Sequence, residues 1–280
     1  MADPTTVNSQ ITDAVSPDAQ TGSTPGLPLG KFVWHDLMTT DVEKALAYYA
    51  DLLGWTYREV QMGEWTYRMI QVAGEDQGGF APLDPADGHP SHWISYVTVE
   101  DVDAAVARAI ELGGQAPVPG TDIPGVGRFA VIVDPKGAAI SPYHPLTPAG
   151  EGYQGPARPG TFCWHELLAA DAAAEGAFFA EVFDWTVAEL PVAATGTYFI
   201  FRRKDRGVDA GGMLPKPEGV EGRSVWLPYI AVENVDAIAA RIPELGGKVW
   251  REPSDIPNVG RFSVTADPTG ALIAFLQPAQ

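Results

Sequence analysis

The chain repeats itself, and that repeat constrains its fold more than any other feature. Trp34-His35-Asp36-Leu37 returns 130 residues later as Trp164-His165-Glu166-Leu167, and the same offset links Asp41 to Asp171 and Trp55 to Trp185. The offset then grows to 133, consistent with a few inserted loop residues: Gly78-Gly79 returns as Gly211-Gly212, and Glu111-Leu112-Gly113-Gly114 as Glu244-Leu245-Gly246-Gly247. Asp122-Ile123-Pro124 through Gly127-Arg128-Phe129 returns as Asp255-Ile256-Pro257 through Gly260-Arg261-Phe262, and Asp134-Pro135 as Asp267-Pro268. So many matches in one order mark a duplication, so both halves take the same fold. A chain of 280 residues suits two domains of about 100–150 residues each. They are expected at 29–146 and 161–280, with a proline- and glycine-rich linker at 147–160 and a polar, disordered leader at 1–28.

A weaker repeat lies inside each half. Asp41-Val42 opens a helical pattern that closes near Leu53-Gly54, and Asp101-Val102 opens another that closes at Leu112-Gly113-Gly114. Each has an aspartate suited to capping the first turn, apolar residues three and four apart, and a glycine where the helix must stop. A short apolar strand precedes each helix, at 31–38 and 92–99, and three strand-like runs follow it. Those runs fall at 55–61, 65–72 and 79–83 in the first unit, and at 115–121, 128–134 and 138–143 in the second. The unit is β-α-β-β-β, present four times and paired two per domain, which predicts an α+β fold of curled mixed sheets. With helices on one face only, the other face of each sheet is left as a concave cleft of the kind that takes small molecules.

Composition narrows the partners. With 36 acidic against 18 basic residues the formal charge is −18, so nucleic acid and anionic membrane surfaces are disfavoured. The single cysteine, Cys163, excludes an intramolecular disulfide and is expected to be buried. No signal-peptide layout or long apolar run occurs, so a cytoplasmic protein is expected, and because tandem domains already pair internally, a monomer or weak homodimer.

The run Asp-Ile-Pro-Gly-Val-Gly-Arg-Phe, followed by a strand and Asp-Pro-x-Gly-Ala, resembles the second-unit signature of the vicinal oxygen chelate superfamily. So does the helix entry at 99–104. That superfamily includes glyoxalase I, extradiol dioxygenases and bleomycin-binding proteins, and the resemblance covers about 31–277 in tandem two-domain form. It implies a divalent metal ion held by first-strand His, Gln or Glu residues and a last-strand Glu, acting as a Lewis acid. Carried over position by position, the last-strand ligand falls on Ser141 and Ala274, and the second-unit first-strand ligand near Ile94 and Leu227. The first-unit ligand falls on Trp34 and Trp164, with His35 and His165 one place away. In that register Trp34, Asp36 and Met38 face the cleft while His35 and Leu37 lie under the helix; a one-residue bulge would reverse this.

Two readings follow. In the first, the clefts bind a small, planar or aromatic molecule without a complete metal site. Trp34, Met38, Trp93, Trp164 and Trp226 would line them and Arg128 and Arg261 would anchor a polar end. In the second, the protein is an enzyme, a metal-dependent lyase, isomerase or dioxygenase or a metal-free acid–base catalyst, using His35, His165, Asp36 and Glu166. The expected cofactor is accordingly none or one divalent metal ion.

Overall fold

The structure, a computed structural model, describes residues 26–279 apart from 64, 149, 151, 153–154, 193–195 and 217–221. Most of the expected leader at 1–28, and part of the linker at 147–160, lie outside the described residues. The first unit runs β1 (Phe32–Thr39), α1 (Val42–Leu53), β2 (Thr56–Met62), β3 (Trp65–Val72) and β4 (Glu75–Pro82). The second runs β5 (His92–Thr98), α2 (Val102–Glu111), β6 (Gln115–Ile123), β7 (Gly127–Val133) and β8 (Ala139–Pro145). The second half repeats this as β9 (Phe162–Ala169), α3 (Ala172–Phe183), β10 (Trp185–Val192), β11 (Gly196–Arg203) and β12 (Asp209–Pro215). It ends with β13 (Val225–Ala231), α4 (Val235–Arg241), β14 (Lys248–Ile256), β15 (Gly260–Ala266) and β16 (Leu272–Pro278).

Each half forms one eight-stranded mixed sheet, in the orders β2-β3-β4-β1-β5-β8-β7-β6 and β10-β11-β12-β9-β13-β16-β15-β14. Each β-α-β-β-β unit closes on a parallel pair, β1 with β4 and β5 with β8, and the units join through the antiparallel β1–β5 pair. The helices begin where the capping residues stand. Asp41, Asp101, Asp171 and Asn234 each accept a hydrogen bond from the backbone N–H three residues on. Gly54 ends α1 at a φ of 70°, a conformation that suits glycine; at the matching place α3 ends on Asp184, whose φ of 54° a side chain tolerates poorly.

The two sheets do not have separate cores. One apolar cluster joins α2 and β7–β8 of the first half to Phe178, Phe179, Trp185 and Met213 of the second. The other joins α1 and β1–β4 to Ile230, Ile242, Ile273 and Phe275. The helix-bearing faces therefore meet across a central seam, and the remaining face of each sheet points outward. The seam follows a pseudo-two-fold relation. Trp55 Nε1 donates to the Gly160 carbonyl at 2.9 Å, and Trp185 Nε1 donates to the Gly30 carbonyl at 2.9 Å. Building each of these clusters from both halves removes more apolar surface from water per residue than either half alone could.

Candidate functional site

Which residues face outward follows from strand alternation against the seam. On β1, Leu37 belongs to the seam, so Trp34, Asp36 and Met38 share the open face. Ile70, Trp93 and Val97 likewise face the seam, which turns Tyr67, Ile94 and Tyr96 outward. A register shift does occur in β1, between Phe32 and Trp34, but it lies upstream of His35 and leaves the 34–38 alternation intact.

Asp36 is the centre of the first open face. It is buried, 9% exposed, and accepts from Tyr67 Oη at 2.5 Å, Tyr96 Oη at 2.7 Å and Trp34 Nε1 at 3.1 Å. The Trp34 indole also donates to Tyr67 Oη at 2.9 Å. Burial pushes the Asp36 pKa above its ordinary value, while the three donors pull it back. The tyrosines are raised too, by burial first and then by the facing carboxyl. Tyr67 reaches Asp36 by crossing β4 at Gly79. A Cβ there would lie 2.6 Å from Tyr67 Cε1 and closer still to Cζ and the hydroxyl, so only glycine fits.

The second sheet carries the same arrangement. Glu166, half-buried, accepts from Tyr198 Oη and from Tyr229 Oη, each at 3.0 Å, and Trp164 Nε1 donates to Tyr198 at 3.0 Å. Tyr198 crosses Gly212 as Tyr67 crosses Gly79. Leu227, Tyr229 and Ala274 form an apolar floor around it, with Phe262, Val264 and Leu168 packed alongside. Burial raises the Glu166 pKa, opposed by its two tyrosines and by the charge of Arg251.

The structure separates the residues singled out in the sequence. Trp34, Asp36, Met38, Trp164 and Glu166 share the open faces. His35 and His165 do not lie under the helices; they meet in the seam, Nε2 to Nε2 at 2.7 Å, each stacked on a phenylalanine of the other half at 3.7 Å. His35 Nδ1 lies 3.1 Å from the Gln77 carbonyl, which can only accept, so the His35 proton sits on Nδ1 and His165 Nε2 is the donor between them. Burial lowers the His35 pKa to about 3 and that of His165 well below its ordinary value, so both are neutral. Trp93 and Trp226 also belong to the seam rather than to a cleft wall. Arg128 and Arg261 sit on the helix side, each gripping two aspartates: Asp103 and Asp122, and Asp236 and Asp255. Cys163 is half-buried, its thiol raised to about 12 by burial and donating to the Tyr229 carbonyl. Surface hollows of about 570 Å³ beside α4 and about 640 Å³ around His89 and Thr269 contain none of the carboxyl or tyrosine groups of the open faces.

The donor set does not fit a divalent ion. The open face of the first sheet offers Asp36 but has Gly79, Ile94 and Ser141 on the neighbouring strands, and Ser141 Oγ already donates to the Ala130 carbonyl at 2.6 Å. The second offers Glu166 beside Gly212, Leu227 and Ala274. Among the described residues, no three His, Cys, Asp or Glu side chains come together as a metal would need. Tyr67, Tyr96, Tyr198 and Tyr229 occupy these floors instead, and sequence reasoning passed over them. Their signal was the repeat itself, since Tyr67 and Tyr198 are 131 residues apart and Tyr96 and Tyr229 are 133 apart.

Comparison with known proteins agrees with this architecture. The family model described as Glyoxalase/Bleomycin resistance protein/Dioxygenase superfamily matches residues 31–141 and 163–275. A curated protein named "Putative glyoxylase CFP32", from Mycobacterium bovis, is 38% identical over 250 residues, covering 88% of this chain and 94% of the relative. The anthracycline biosynthesis protein DnrV of Streptomyces peucetius is 29% identical over 276 residues, covering 88% of this chain and 91% of its own length. Among solved structures, the Mn(II)-bound glyoxalase of Novosphingobium aromaticivorans shares the fold with a TM-score of 0.60 at 14% identity, over 89% of this chain and 82% of that one. Among the described residues, no helix is long and apolar enough to cross a membrane.

Proposed function

The chain belongs to the Glyoxalase/Bleomycin resistance protein/Dioxygenase superfamily, and from that premise we propose that it binds a small planar, aromatic molecule over its two carboxyl–tyrosine floors, without a metal ion. The observation that carries this reading is the replacement of a ligand cluster by Trp34, Tyr67, Tyr96 and Asp36, with the same set at Trp164, Tyr198, Tyr229 and Glu166. Indole and phenol rings offer flat apolar area at low entropic cost, and each carboxyl fixes the orientation of the rings around it. The relative named for anthracycline biosynthesis supports a flat ligand, since anthracyclines are fused-ring compounds.

Fluorescence titration with a neutral planar probe such as N-phenyl-1-naphthylamine tests the reading. Saturable quenching of tryptophan emission is expected, unchanged by EDTA and weakened at least fivefold by Trp34→Leu or Trp164→Leu. Binding that needs an added divalent ion, or that neither substitution touches, refutes it.

One observation favours a second reading, metal-free acid–base chemistry: the Asp36 carboxyl is raised by burial and hydrogen-bonded to two phenols, a path along which a proton can pass. Under it, Asp36→Asn leaves ligand affinity within a few-fold and removes turnover. Binding by the intact protein with no turnover favours pure binding.

A further inference from the structure

We propose that the two clefts take different ligands, the second selecting a planar molecule that carries an anionic group, anchored by Arg251. The proposal rests on the reading of the open faces as ligand sites and adds the chemical class of one of them.

Arg251 lies on the edge strand β14 directly opposite Val264, a residue of the second cleft floor, so its side chain is on the open face. Its guanidinium carbon stands 4.9 Å from the Phe262 ring centroid, and Phe262 lies 6.4 Å from Tyr229, whose hydroxyl donates to Glu166. The cation therefore overhangs the aromatic floor, at its rim and exposed to solvent. The other arginines mostly have occupied forks. Arg58, Arg68, Arg108, Arg128, Arg202 and Arg261 each hold a carboxylate. Arg251 holds none within ion-pair distance among the described residues, in a chain with twice as many acidic as basic residues. Glu166 feels its charge but does not contact it, being fully engaged by its two tyrosines. A guanidinium positioned by an aromatic face with its donors unspent is suited to a carboxylate, sulfonate or phosphate on a ring lying across Trp164 and Tyr198.

The first cleft lacks this group. The matching position, opposite Val131 on β6, is Val118, so the duplicated sites differ by a full charge at the same place on the rim. An apolar rim there suits a neutral ligand, because no fixed cation offsets the desolvation of an anion.

A matched pair of probes separates the possibilities: 8-anilinonaphthalene-1-sulfonate and N-phenyl-1-naphthylamine share a ring system and differ by the sulfonate. In the intact protein, Arg251→Gln is expected to weaken the sulfonate probe at the Trp164 cleft about tenfold while leaving the neutral probe within twofold. Arg251→Lys should retain most of the affinity, and Val118→Arg should bring sulfonate binding to the Trp34 cleft. If Arg251→Gln leaves the ratio of the two affinities unchanged while both probes still respond to Trp164→Leu, the anion site is refuted and the cleft reading stands. If neither probe responds to Trp34→Leu or Trp164→Leu, the cleft reading itself fails.

Discussion

Substituting Gly79 with alanine isolates the contact on which the first cleft floor depends. The backbone there is not left-handed, so alanine meets no strain from φ, and its whole cost comes from what the methyl touches. It would overlap the Tyr67 ring, and the ring cannot yield without releasing Asp36 and Trp34. Forcing a methyl into a filled site costs about 1–3 kcal/mol. Losing a hydrogen bond to a buried carboxyl costs about 1.5–3 kcal/mol more. The expected loss is therefore roughly 3–5 kcal/mol, a large part of a typical domain's stability. Gly54→Ala is the control, since its Cβ meets nothing within 4 Å and its only penalty is the left-handed backbone, about 1–2 kcal/mol.

Urea unfolding of Gly79→Ala, Tyr67→Leu and the double variant turns this into a cycle. With the ring gone, the methyl has open space, so the double variant should be about 2–3 kcal/mol more stable than the sum of the single effects predicts. Additivity within about 0.5 kcal/mol would refute the contact, and with it the account of why a glycine pair stands at the same place in both halves.

The seam supplies two further expectations. Asp134 Oδ2 and Glu175 Oε1 are buried and receive no N–H donor among the described residues, and burial, followed by the facing Glu175 carboxyl, lifts the Asp134 pKa to about 6. A carboxyl raised in the folded state binds its proton more tightly than the unfolded chain does. Stability from this group is thus present at low pH and is lost as pH rises from about 4 through 6, by about 3 kcal/mol at most. Glu175→Gln, whose amide can donate to Asp134, should raise the urea midpoint at pH 7 and lose that advantage by pH 4; an equal gain at both would refute the pairing. His35→Ala strands His165 Nε2–H inside the seam and removes the Phe162 stack, so it should cost about 2–4 kcal/mol by urea unfolding while leaving cleft binding of a neutral probe unchanged.

The repeat made the four β-α-β-β-β units legible, because cap residues, helical spacing and strand alternation all recur. It also gave the outward direction of Trp34, Asp36 and Met38. What covers the other face was not legible. Alternation shows that His35, Trp93 and Trp226 point away from the cleft residues beside them, but a histidine under a helix and one facing its own copy leave the same local pattern. Which aspartates Arg128 and Arg261 hold was not legible, because the Val-Gly-Arg that opens each strand says nothing of Asp103 and Asp236, which lie 25 residues away in sequence. The tyrosines were not legible because Tyr67 and Tyr96 reach Asp36 from other strands, a meeting that only the sheet order creates.

The duplication gives a way to sort repeated residues by what they answer to. Across a pseudo-two-fold seam a contact between two positions is made twice, once in each direction, so side chains that pack well there are favoured in both copies. His35 meets His165, Phe32 stacks on His165 as Phe162 stacks on His35, and Trp55–Gly160 is matched by Trp185–Gly30, so their recurrence is explained by packing across the seam. The open faces point away from each other, and nothing in one cleft packs on its counterpart. The recurrence of Trp34/Trp164, Tyr67/Tyr198 and Tyr96/Tyr229 there answers to no shared interface. A demand placed on each cleft separately, such as holding the same flat ring system, accounts for it. By the same logic, positions where the clefts diverge, Asp36 against Glu166 and Val118 against Arg251, are where two ligands would be told apart. The histidines are the more conspicuous pair in the sequence, yet the seam accounts for them, and it is the repeated tyrosines that line the faces left open.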